Sequence, residues 1–101
     1  MIIYKGYMMD EIHVTYERIL NNLYIEATHL SMSTITMEKL EELIILSNIT
    51  LFYYLRMFEN ESLNRIDKLS KAEVYSTIQI IMGIEKIFID TKKEILENKS
   101  S

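Results

Sequence analysis

LIILSNITLFYYLRMF, residues 43 to 58, places twelve apolar side chains in sixteen positions and breaks the run only at Ser47, Asn48, Thr50 and Arg56. An apolar run this long, free of Pro and Gly, reads as a helix, because buried strands seldom exceed about eight residues. At about 100° per residue, Met37, Leu40, Ile44, Leu51, Leu55 and Phe58 share one stripe, flanked by Ile45 and Phe52. Leu46, Ile49, Tyr53 and Met57 point elsewhere. A helix apolar on more than one face is difficult for a chain of 101 residues to cover alone, so this segment predicts both a helical fold and an association surface.

Upstream, Thr36 stands where an N-cap belongs, with Ile35 before it and Leu40 after it as a hydrophobic staple, so this helix is expected to span 37–59. The hydroxyl-rich SMSTIT separates it from an earlier helix over 9–31, capped by Asp10 and carrying Ile12, Tyr16, Ile19, Leu23, Ala27 and Leu30 at steps of three and four. The first eight residues, MIIYKGYM, mix β-branched and aromatic side chains with a glycine and read as an extended arm, 1–8. Downstream, ENESLNRIDKLS is a polar interval with room for a helical turn over 63–68. Ser70 and Glu73 then form an S-x-x-E capping box, with Leu69 and Val74 as its staple, opening a third helix over 71–97. Its core stripe is Val74, Ile78, Ile81, Ile84, Phe88 and Ile95, widened by Ile80 and Ile87, with Ser76, Gln79, Lys86, Asp90, Lys93 and Glu94 on the wet side.

These elements predict one all-α domain over 1–101, an antiparallel, up-down-up three-helix bundle with a short N-terminal arm, assembled as a homodimer. The expected interface is Leu46, Ile49, Tyr53 and Met57, with Tyr53 as a rigid amphipathic anchor at its centre. The competing expectation is that the 60–70 interval, or the arm with Ile2, Ile3, Tyr4 and Tyr7, folds over those four residues.

Composition narrows the function. Eleven basic against fifteen acidic residues give a net charge of -4, which disfavours a phosphate-binding surface. Arg65, Lys68 and Lys71 form the one local basic group, and a DNA-binding regulator would have to use it. Arg56 interrupts the apolar run and the run is short of the roughly twenty residues of a membrane span. Without cysteine there is neither a disulfide framework nor thiolate chemistry. The start MIIYKGYMMDE lacks the apolar core and cleavage site of a secretory signal, so a cytoplasmic location is expected. The isoleucine richness and the excess of Lys over Arg suggest an AT-rich genome.

No phosphate loop, zinc spacing or nucleophile elbow occurs, and neither enzymatic activity nor a cofactor is expected. Glu26-Ala-Thr-His29 has the Glu-x-x-His spacing of helical di-iron proteins, with Glu41 as a further carboxylate that helix packing would bring to the same end. Four carboxylates and two histidines are needed, and one half-motif falls short unless a dimer doubles it. His13 is expected to pair with Glu17 on the solvent side. Glu85 and Lys92 fall on the apolar stripe of the third helix, where charge is costly unless paired; Lys92 is expected to meet Glu26, and Glu85 to snorkel or to sit at an interface. The reading that needs fewest assumptions is a non-catalytic helical interaction module, a small regulator, inhibitor or adaptor that binds itself and another protein.

Overall fold

The computed structural model describes the backbone of residues 2–59 and 70–100, and side chains over 11–59 and 70–98. Three helices pack against one another, α1 (Ile2–Thr28), α2 (Met37–Glu59) and α3 (Lys71–Ser100), with no strand among the described residues. The extended arm expected over 1–8 is therefore corrected: from Ile2 onward this segment is the first part of α1. Nothing between Ile2 and Asp10 breaks a helix outright. β-branched Ile costs a few tenths of a kcal/mol and Gly6 about 1 kcal/mol, amounts that continuation of an existing helix can absorb.

At its other end α1 stops at Thr28, three residues before the expected end. Thr28 Oγ1 donates back to the Tyr24 carbonyl at 2.8 Å, and His29 Nδ1 lies 3.0 Å from the Ile25 carbonyl. The hydroxyl run then closes a turn of its own, with the Ile35 amide donating to the Ser31 carbonyl at 3.0 Å. These local bonds compete with helical continuation.

The bounds of α2 are those the sequence predicts, and the cause is visible. Thr36 Oγ1 accepts from the Lys39 amide at 3.1 Å, while Ile35 and Leu40 pack in one cluster as a staple should. Ser70 does the same for α3, its Oγ accepting from the Glu73 amide at 3.1 Å. Leu69, the other half of the second staple, lies outside the described residues, as does the helical turn expected over 63–68.

α2 and α3 make the closest pair, and α1 lies against both. The core has two centres. One gathers Leu23 of α1, Leu40 and Leu43 of α2, and Ile84 and Phe88 of α3. The other gathers Tyr54 and Met57 of α2 with Val74, Ile78 and Ile81 of α3, closed by Tyr16 of α1. Leu20 packs on both. Between them sit Ser47 and Thr50, each 0 % exposed. Their hydroxyls donate to the Leu43 and Leu46 carbonyls of their own helix at 2.8 Å, so neither is buried without a partner.

Candidate functional site

The buried residues of α2 are Leu40, Leu43, Ser47, Thr50, Tyr54 and Met57, spaced three, four, three, four, three. That is the spacing of a helix–helix seam, a/d in a heptad. It differs from the stripe that apolarity alone selects: Leu40 is common to both, Ile44, Leu51 and Phe58 flank the seam half-buried, and Leu55 is 38 % exposed. The phase of the helix is set by two small hydroxyl residues that allow its neighbours close and satisfy themselves in place.

Rotating the seam rearranges the four expected interface residues. Met57 is 0 % exposed and belongs to the second core centre, so it is not on the outer face. Leu46 is half-buried against the first centre. Tyr53 is engaged within the chain. Its ring stacks on Tyr16 of α1 with centroids 4.0 Å apart at 7°, meets Tyr54 edge-on at 5.1 Å, and its hydroxyl lies 3.0 Å from His13 Nδ1. Ile49 alone of the four is strongly exposed. The competing cover expected from the sequence, the 60–70 interval or the side chains of Ile2, Ile3, Tyr4 and Tyr7, lies outside the described residues but for Ser70; among those described, Tyr16 and His13 reach Tyr53 from the middle of α1.

His13 is the largest departure on α1. It is buried rather than on the solvent side, and Ile12, expected in the core stripe, is exposed. The imidazole uses both nitrogens: Nδ1 toward Tyr53, and Nε2 toward the Glu17 carboxylate at 3.7 Å, the i,i+4 pair that the sequence suggests. A buried imidazole is tolerable when its polar atoms are engaged, and this one fastens α1 to α2.

What faces outward on α2 is a second apolar row. Ile45 is 58 %, Ile49 47 % and Phe52 62 % exposed, with Leu55 beside them. The spacing of four and three puts Ile45, Ile49 and Phe52 within about 60° of one another, opposite the buried seam. The Arg56 guanidinium carbon sits 5.9 Å above the Phe52 ring, extending the row. A shallow depression lined by Tyr16, Asn48, Ile49, Phe52, Tyr53 and Arg56 runs alongside. The sequence carried the signal for a two-sided helix, and the heptad spacing of its outer row was the clue to which residues form it.

α3 presents the face expected of it, with Val74, Ile78, Ile81, Ile84 and Phe88 buried and Ile95 half-buried. Ile80 and Ile87 remain exposed beyond the core's edge. Lys92 Nζ meets Glu41 Oε1 at 3.6 Å, replacing the expected pairing with Glu26. Glu85 is half-buried, and its Oε2 has no hydrogen-bond partner among the described residues. Burial pushes its carboxyl above the ordinary carboxylate value.

Glu26 and His29 border one small surface depression together with Lys39, and Glu41 is occupied with Lys92. Among the described residues no three His, Asp or Glu side chains are grouped to hold a metal ion. Of the basic group, Lys71 is exposed at the start of α3, its ammonium 5.4 Å from the Phe58 ring; Arg65 and Lys68 lie outside the described residues. No helix among the described residues is long and apolar enough to cross a membrane. No family model matches the chain, and no curated protein or solved structure matches it either.

Proposed function

We propose that this chain is a non-catalytic helical interaction module, a small regulator, inhibitor or adaptor that docks another polypeptide on the outer face of α2. The observation that carries this reading is the row Ile45, Ile49 and Phe52, which stays 47–62 % exposed on the side of α2 turned from its own core. Each large apolar side chain held in water forgoes about 1.5 to 3 kcal/mol of burial. Several in register on one helix are the usual mark of a protein contact. The bundle behind them is up-down-up. In support, one core centre joins the C-terminal half of α1 to the N-terminal half of α2 and the C-terminal half of α3, while the other joins the opposite ends of α2 and α3. A rigid support of this kind keeps the outer row in place for docking.

The test is site-specific photo-crosslinking in the native host. A photoreactive side chain at Phe52 should give a covalent protein adduct, and the same group at Gln79, on the polar side of α3, should not. Adduct formation at Phe52 should be lost when Ile45→Asp and Ile49→Asp are added. Equal labelling at the two positions, or none at Phe52, would overturn the reading. The mass of the adduct separates self-pairing from capture of a different protein.

A further inference from the structure

Resting on that reading, we infer that the occupant of the α2 outer face is a second copy of the chain, crossing antiparallel about a two-fold axis near Ile49. The outer row is longer than its apolar part. Glu38, Glu42, Ile45, Ile49, Phe52 and Arg56 are all exposed and follow one another at four, three, four, three and four. This is a second seam at heptad spacing on the same helix, with acidic residues at its N-terminal end, three large apolar residues in its middle and a guanidinium toward its C-terminal end.

A two-fold axis at Ile49 turns this order onto itself. Ile49 meets its own copy. Phe52, three residues after the axis, falls against Ile45, four residues before it. Arg56 and Glu42, each seven residues from the axis, come opposite one another twice, once on each side. Glu59 and Lys39, each ten residues away, stand at the rim. An isologous contact requires this kind of self-complementarity. The parallel alternative sets Arg56 against Arg56 and Glu42 against Glu42, and aligns the two helix dipoles unfavourably. The Arg56 side chain already lies along the row, over the Phe52 ring, which lowers the entropy lost on pairing. The apolar centre spans about two helical turns, small for a stable interface, so the pair belongs to the weak, concentration-dependent class.

The chain has no cysteine, so single-cysteine variants of the full-length protein report the register directly. Under mild oxidation Ile49→Cys should cross-link to itself. Glu42→Cys and Arg56→Cys should each do so poorly alone, yet readily when the two variants are mixed. Arg56→Glu should weaken self-association in sedimentation by about tenfold, because two symmetry-related pairs become repulsive, and the double variant Glu42→Arg/Arg56→Glu should restore it. Self-cross-linking at 42 and 56 as fast as at 49 would overturn the antiparallel register. A wild-type protein that sediments as a monomer up to about 1 mM, the weak end of the affinity scale, would overturn the second copy as occupant. If Phe52 still forms an adduct with a different protein in cells, the docking-face reading survives that result.

Discussion

Ser47 decides whether the seam of α2 has been placed on the right side of the helix. Its side chain is 0 % exposed between the two core centres, and its hydroxyl donates to the Leu43 carbonyl at 2.8 Å. Ser47→Leu adds two heavy atoms to a site with no solvent outlet, and overpacking of this kind costs about 1 to 3 kcal/mol. For a domain of this size each kcal/mol moves the midpoint by about 4 to 8 °C, so the variant should melt about 5 to 20 °C lower. Ser47→Ala should stay within about 0.5 kcal/mol of wild type. The Leu43 carbonyl keeps its helical hydrogen bond, no partner is orphaned, and Ala is the better helix former. Thermal unfolding followed by far-ultraviolet circular dichroism, at a concentration low enough to keep the chain monomeric, measures both. An unchanged midpoint for Ser47→Leu would refute the close packing at this layer. A loss above about 2 kcal/mol for Ser47→Ala would show that the hydroxyl carries a bond between helices rather than within one.

Two further substitutions probe α3. Gly83→Ala should raise stability by about 1 kcal/mol, because Gly83 sits inside α3 with nothing within 4 Å of the added methyl and gains only helix propensity; a loss in thermal denaturation would mean that something packs there. Glu85→Gln should stabilise the protein by about 1 kcal/mol near neutral pH, because the amide carries no charge into a half-buried site where the carboxylate Oε2 has no hydrogen-bond partner among the described residues. The carboxyl is raised in the folded chain, so the folded state binds the extra proton. Stability is therefore lost as pH rises from the unfolded carboxylate value through the folded one, and the advantage of the Gln variant should shrink on acidification below that range. A pH-independent difference in denaturant midpoint would contradict the assignment.

Some features of this fold were legible before any coordinates. The N-cap at Thr36 and the capping box at Ser70 fixed two helix starts because their signals are local: a hydroxyl, a few residues, one backbone amide. The core face of α3 was legible because its buried positions are almost all Ile, Val or Phe. The phase of α2 was not, since apolarity treats Ser47 and Thr50 as gaps while the seam uses them as its narrowest layer. His13 escaped for a related reason. An imidazole beside a glutamate looks solvated until a tyrosine from another helix is found within 3.0 Å of its other nitrogen. The two-sided character of α2 was visible in its sequence, but the outer row is Ile45, Ile49 and Phe52 where apolar counting selects Leu46, Ile49, Tyr53 and Met57. Only a correct phase for the inner seam reveals the outer one.

Leu20 touches both core centres, and the layer between them is built of hydroxyl residues whose bonds stay within α2. The bundle thus has a waist. Leu20 packs on the lobes at both ends of it, so Leu20→Ala should weaken the coupling between them and broaden the melting transition. The outer row spans that waist, from Ile45 beside one lobe to Phe52 beside the other, and a polypeptide clamped along it would act as a splint that makes the two lobes melt as one.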